Sequence, residues 1–262
     1  MAELDDLLAF AHGICDDADA VALRYFGEAV AGGLRVDRKP DATLVTQADT
    51  QIETLLRDRI ASAYPAHVVL GEEFGDGGAG EWRWIIDPID ATHNFVRGVP
   101  VFATLLALER AGELVLGVVS AAALRTRWFA SAGAGAFLRD AAGERRIHVS
   151  AIDAVADAHV VTSTIRGLTD AGHGPALTAI TAAAWRDRGF GDFWGHVLVA
   201  QGSAEAMLEH GPAPWDLAAP CAILREAGGR MTDFSGRSSW NGPEVLSSNG
   251  AVHDELLALL GA

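Results

Sequence analysis

The stretch Trp84-Ile85-Ile86-Asp87-Pro88-Ile89-Asp90-Ala91-Thr92-His93-Asn94-Phe95 decides how this chain is read. Its apolar opening predicts a buried strand, Trp84 to Ile86. Proline has no N–H and a fixed φ, so the strand is expected to stop at Asp87-Pro88. Two carboxylates three residues apart follow. Asp87 and Asp90 can converge on one point with the Ile89 carbonyl between them. Such oxygens, with waters, suit a hard cation such as magnesium. The same pattern also fits a plain turn capped by two carboxylates. Thr92 adds a hydroxyl, and Asn94 could cap a helix starting here. The first N–H groups of that helix would face an anion.

Two distant segments favour the site over the turn. Gly71-Glu72-Glu73 ends another strand, Val68 to Leu70, and strand ends are where α/β proteins place site residues. Trp215-Asp216 opens an otherwise apolar helix, although a lone aspartate there is also explained by the helix dipole.

The remaining pattern is mixed. Residues 3 to 26 carry apolar groups at helical spacing (Leu4, Leu7, Leu8, Ala11, Ile14, Cys15, Ala18, Ala22). Thr46 reads as the N-cap of a second helix, with Asp49 in its first turn and Pro65 at its end. Phe102 to Glu109, Leu114 to Ser120 and Arg127 to Ser131 form a β-meander. After Ser150, strands (His159 to Ser163, Ala206 to Leu208, Arg230 to Asp233, Val245 to Ser248) alternate with helices (Pro175 to Arg186, Phe193 to Gln201, Trp215 to Ala227, His253 to Leu260). Pro220 is expected near the tolerated start of the third helix, and Gly228-Gly229 ends it. No linker rich in Gly, Pro and Ser separates the two halves.

With 262 residues, half of them hydrophobic, the chain can bury a sizeable core. The formal net charge of −15, without a Lys/Arg run, argues against a nucleic-acid partner. Glu3, Asp5 and Asp6 argue against a signal peptide, and no apolar run has membrane length. Cys15 and Cys221 read as buried free thiols in a reducing compartment. The expectation is a soluble cytoplasmic protein.

Trp84 to Gly98, Gly71-Glu72-Glu73 and Trp215-Asp216 together resemble the inositol monophosphatase superfamily, in matching order and spacing over nearly the whole chain. Lys39-Pro40-Asp41 before Val45-Thr46-Gln47-Ala48-Asp49, and Glu226-Ala227-Gly228-Gly229, extend the likeness. The resemblance implies an α/β (α+β) fold, a layered α-β-α-β-α sandwich, commonly homodimeric. The main metal loop would lie in an N-terminal subdomain, 1–150. A C-terminal subdomain, 151–262, would supply Asp216 and substrate contacts.

By the same resemblance Glu72, Asp87, Asp90, Asp216, the Ile89 carbonyl and the Thr92 hydroxyl become metal ligands, for two or three Mg2+ per site. Asp49 matches a carboxylate that hydrogen-bonds the threonine and supports a weaker metal. Glu73 follows the ligand glutamate. Glu72, Thr92 and Asp49 would orient or deprotonate the attacking water. The Ala91 and Thr92 N–H groups would hold phosphate, and Glu209 would contact a substrate hydroxyl. The implied reaction is phosphate-monoester hydrolysis without a covalent intermediate, with lithium inhibition as a family trait.

The details lean toward the histidinol-phosphate phosphatase branch. Asn94 to Phe102 resembles that branch's sequence after the metal loop. Gly191-Asp192-Phe193 replaces the usual Gly-Ser-Ala of inositol enzymes, and a carboxylate there suits a cationic amino alcohol. Arg188 and Asp192 could face substrate or form a surface ion pair. Arg127-Trp128-Phe129 resembles a stretch reaching a neighbouring subunit's site, while sheet packing also explains Trp128. His93 stands where the branch often has lysine, as a phosphate contact or a surface residue. The other eight histidines show no paired zinc spacing.

The family's Asp-Gly-Thr is Asp90-Ala91-Thr92 here, so Ala91 is strained if that position needs positive φ. Three functions follow. The first is a histidinol-phosphate phosphatase of histidine biosynthesis. The second is an inositol-1-phosphate, sugar or nucleotide phosphatase. The third is an inactive member acting as a binding module.

Overall fold

A computed structural model describes residues 2–38 and 44–261. Lys39-Pro40-Asp41 lies outside them. The chain begins with α1 (Ala2–Val30), β1 (Val36–Arg38), β2 (Leu44–Thr46) and α2 (Gln47–Ala63). Next come β3 (Val68–Gly71), β4 (Gly75–Asp76), β5 (Trp82–Asp90), α3 (Thr92–Val96), β6 (Ala103–Arg110) and β7 (Glu113–Ala121). β8 (Thr126–Ser131), β9 (Gly135–Asp140) and β10 (Gly143–Ile147) complete the first half. The second half runs β11 (His159–Thr162), α4 (Ile165–Asp170), α5 (Gly174–Ala183), β12 (Arg186–Arg188), α6 (Asp192–Ala200) and β13 (Ala206–His210). It closes with α7 (Pro214–Glu226), β14 (Arg230–Thr232), β15 (Glu244–Ser248) and α8 (His253–Leu260).

β1 and β2 pair as a small antiparallel ribbon. The larger sheet has the order β10-β9-β8-β7-β6-β5-β3-β4, antiparallel except where β3 meets β5. The smaller sheet runs β12-β11-β13-β15-β14, parallel around β11 and antiparallel beyond β13. α1 and α2 cover one face of the larger sheet, α6 and α7 lie between the sheets, and α4, α5 and α8 close the far side. This is the layered α-β-α-β-α sandwich expected from the sequence.

Strand alternation assigns side chains to layers. Trp84 and Ile86 of β5 join the cluster under α1 and α2, whereas Ile85 faces α6 and α7. Both faces are covered, so β5 and β6 read as continuous apolar runs, not alternating ones. Gly117 lets β7 approach α7 closely. A Cβ there would sit 2.5 Å from the Ala219 carbonyl oxygen. Cys15 and Cys221 are both free and buried, as expected. Among the described residues no helix is long and apolar enough to cross a membrane.

Several local expectations need correction. β5 does not stop at Pro88 but continues to Asp90. Asp87 pairs with Leu105 and Asp90 with Ala103, so one extra residue is accommodated as an irregularity in the ladder. That irregularity takes up the proline that lacks a donor. The helix expected to reach Arg186 ends at Ala183, and Arg186–Arg188 is an edge strand. β9, β10 and α4 had no clear sequence signal. Pro220 lies in the interior of α7, so the Asp216 carbonyl cannot receive the usual helical bond from position 220.

Candidate active site

Asp87 and Asp90 are held by the irregular end of β5. The Ile89 N–H donates to Asp87 Oδ1 at 3.0 Å, and Thr104 Oγ1 donates to the Pro88 carbonyl at 2.8 Å. The chain then turns through Ala91, at φ 64° and ψ 44°. The position therefore does need the left-handed conformation, and the alanine Cβ makes it strained by about 1–2 kcal/mol. α3 begins directly after, at Thr92. Asn94 is not its cap, because its side-chain N–H donates to the Val101 carbonyl at 2.9 Å and braces the loop. Thr92 Oγ1 donates to the Ile89 carbonyl at 3.0 Å.

Glu72 is brought in by the turn after β3, where its N–H donates to the Ile86 carbonyl. That turn is clamped from α2. Glu53, fully buried, accepts from the N–H groups of Glu73 at 2.7 Å and Phe74 at 3.2 Å. Arg57, one turn on, pairs with Glu53 at 2.8 Å and donates to the Gly75 carbonyl. Gly71 is required because a Cβ there would collide with the Glu53 carboxylate. Asp216 comes from the first turn of α7, where its Oδ2 accepts from the Ala213 N–H at 2.7 Å. Asp192 opens α6 at φ 49°. The next N–H, of Phe193, donates to Asp90 Oδ2 at 2.7 Å and ties the two halves of the chain together.

These elements enclose a cavity of about 190 Å³ lined by Glu72, Asp87, Ile89, Asp90, Ala91, Thr92, His93, Asp192 and Asp216, with Leu44 at its edge. Oxygens of Asp87, Asp90 and Asp216 lie within 4.8 Å of one another. Asp49 is buried behind them. Both the N–H and the hydroxyl of Thr46 donate to its Oδ2, at 2.8 and 2.6 Å. The threonine bonded to Asp49 is therefore the helix cap Thr46, whereas the Thr92 hydroxyl is turned to Ile89. Glu209 on β13 is buried and meets His196 Nε2 at 2.8 Å, and His196 Nδ1 meets Ser247 Oγ at 2.8 Å. Arg188 lies on the exposed strand β12, away from the cavity, with its guanidinium on the Asp187 carbonyl.

Arg127 is also spent within the chain, on Asp16 and Asp19. Trp128 is buried, donates to Gln201 and packs toward Phe193. Glu53 and His196 were not anticipated from the sequence. The signal for Glu53 was a charge one helical turn after Asp49 inside the apolar stripe of α2. For His196 it was a lone polar residue in the apolar helix Phe193 to Ala200.

Among the described residues the lining carries five carboxylates and neither lysine nor arginine. Burial, then Glu72, Asp90 and Asp216, raises Asp87 well above the usual range. Burial, then Asp192 and Asp216, does the same to Asp90. Asp216 is pushed to about 7 by burial and then by Glu209 and Glu72, against the pull of the Ala213 N–H. Asp192 is pushed to about 6 by burial and Glu209, and Asp49 to about 6 chiefly by burial. Asp49 Oδ1 is buried with no hydrogen-bond partner among the described residues. Crowded carboxylates, an orphaned buried oxygen and an all-oxygen donor set fit hard divalent cations.

The inositol monophosphatase family model matches residues 3–261. A histidinol-phosphatase of Streptomyces coelicolor is 43% identical over 98% of this chain and 97% of its own length. An inositol-1-monophosphatase of Rhizobium meliloti is 38% identical, covering 81% of this chain and 80% of its own. The crystal structure of the extragenic suppressor protein SuhB from Bartonella henselae superposes with a TM-score of 0.89 at 29% identity, over 97% of this chain and 98% of the other. Ordered motifs, layered fold and near full-length similarity agree: the chain belongs to the inositol monophosphatase family.

Proposed function

We propose that the protein is a Mg2+-dependent phosphomonoesterase that hydrolyses histidinol phosphate to histidinol and phosphate, as a step of histidine biosynthesis. The observation that carries the substrate is Asp192, a carboxylate on the same cavity wall as Asp87, Asp90 and Asp216. A cationic amino alcohol finds a counter-charge there, and a neutral cyclitol does not. The histidinol-phosphatase relatives support the same reading.

Glu72, Asp87, Asp90, Asp216 and the Ile89 carbonyl hold the metals. A cation bound there supplies acidification of a water and neutralisation of phosphate charge. Thr92 and Glu72 orient the attacking water, with Asp49 behind them as the reserve of negative charge. The Ala91 and Thr92 N–H groups and His93 face the phosphate, since all three residues line the cavity. Glu209, fixed by His196, receives a substrate hydroxyl. Arg188 and Asn94 have no direct part in this mechanism, because one lies on an exposed edge and the other braces its loop. The enzyme works as a lithium-sensitive homodimer in the cytoplasm.

The test is phosphate release from histidinol phosphate and inositol-1-phosphate, side by side, with and without Mg2+. Mg2+-stimulated preference for histidinol phosphate is expected. Preference for the inositol ester would move the assignment to the inositol phosphatases, a reading that the Rhizobium relative favours. No turnover of either ester would favour an inactive binding module.

A further inference from the structure

β13 presents alternate residues to opposite faces of the smaller sheet. Met207 belongs to the cluster facing α6 and α7, and Glu209 follows it on that side. Ala206 and Leu208 belong to the cluster under α5 and α8, and His210 follows them there. In the register of β13 with β15, His210 stands directly opposite Glu244. The Gly211 N–H donates to the Pro243 carbonyl at 2.7 Å just beyond this pair and fixes the strand ends. The turn between α4 and α5 then places His173 over them. Its Nε2 lies 2.5 Å from Glu244 Oε1, and its ring meets Phe234 edge-on at 5.0 Å.

His210 Nδ1 lies 3.6 Å from the same Glu244 oxygen, too far for a hydrogen bond. That nitrogen is sealed from solvent and has no hydrogen-bond partner among the described residues. One donor atom from each of the three residues lies within 4.8 Å of the others. Donors that share a tetrahedral ion at roughly 2.0–2.1 Å stand about 3–3.5 Å apart. The 2.5 and 3.6 Å separations from Glu244 bracket that value, and the two imidazole donors lie within 4.8 Å of each other.

We propose that His173, His210 and Glu244 form a second metal site, for a borderline cation of the Zn2+ class, with a fourth position open to water. Its two-nitrogen, one-oxygen donor set differs in kind from the all-oxygen cavity on the other face of the sheet. Imidazole suits zinc, copper, iron and nickel, whereas carboxylates and carbonyls suit magnesium. A bound ion would tie the α4–α5 turn to the end of the sheet. It touches none of the groups assigned to phosphate-ester hydrolysis.

Zn2+ binding to untagged protein in excess Mg2+, read by calorimetry and by metal content after dialysis, tests this. One Zn2+ per chain is expected in the native protein and in Asp90→Asn. That ion should be lost in His173→Asn and in Glu244→Gln, with the far-UV circular dichroism of each unchanged. Co2+ should give a visible ligand-field band that disappears in His173→Asn. Absence of Zn2+ beyond the Mg2+-occupied cavity, or its retention in both His173→Asn and Glu244→Gln, would overturn the proposal.

Discussion

Two sets of buried carboxylates lie within one corner of the fold and are neutralised differently. Glu53 on α2 has Arg57 beside it and two backbone N–H groups donating to it. Asp87, Asp90 and Asp216 each have a backbone donor, but among the described residues no lysine or arginine lines their cavity. A buried charge is tolerated when it is paired and hydrogen-bonded. The first set carries its own cation and stabilises a turn. The second withholds one, its carboxylates take up protons unusually readily, and the space is left for metal ions. Among the described residues, Arg57 beside Glu53 is what distinguishes the two settings.

The most severe way to break the contrast is Asp90→Asn. It removes a charge from the set without a described protein cation, while the asparagine oxygen can still accept from the Phe193 N–H. Mg2+-dependent turnover should fall by more than the roughly 10–100-fold that loss of a supporting partner costs. Retained kcat would show that Asp90 is not a ligand. Glu53→Ala tests the other set. Arg57 would keep a charge without its partner, at a cost of about 3 kcal/mol, the low end for a buried pair because Arg57 is partly exposed. Urea denaturation measures it, and unchanged stability would show that the clamp on Gly71–Gly75 is dispensable.

The third prediction uses pH. Asp216, near 7, and Asp192 and Asp49, near 6, have folded values above those of an unfolded chain. Between about pH 4 and 7 the folded state therefore binds more protons, so these groups make the metal-free protein less stable as pH rises through that window. Bound Mg2+ reverses the penalty, because it favours the ionised carboxylates. The rise in Tm on adding Mg2+ should be larger at pH 8 than at pH 5. An equal rise at both would contradict the assignment of these groups to the metal cavity. The smallest effect is expected for Ala91→Gly. Relief of about 1–2 kcal/mol at φ 64° is offset by about 0.4–1 kcal/mol of extra unfolded-state entropy. A net gain between zero and about 1.6 kcal/mol should appear in thermal unfolding, and a loss would mean that the alanine methyl makes a needed contact.

Much of the site was legible because its parts are local. Asp87, Ile89, Asp90 and Thr92 fall within six residues, and a short loop leaves them little choice but to share a point. Thr46 and Asp49 were legible as a cap for the same reason. The continuation of β5 through Pro88 was not, because a ladder irregularity depends on the partner strand β6. The choice for Arg188 between facing substrate and lying on the surface was not legible, because only the pairing of β12 with β11 sets it on an exposed edge. Glu53 was overlooked because the backbone N–H groups it holds lie about twenty residues away, in a turn that only folding brings under α2.

By itself the sequence determined the mixed alternation of strands and helices and the oxygen-rich loop, and the order of its motifs carried the family resemblance that implied the layered fold. The first two follow from patterns and contacts a few residues apart. Tertiary structure alone decided the left-handed backbone of Ala91, the His196–Glu209 pair and the meeting of His173, His210 and Glu244. Strand register and layer packing set those contacts, and neither is written in any single segment.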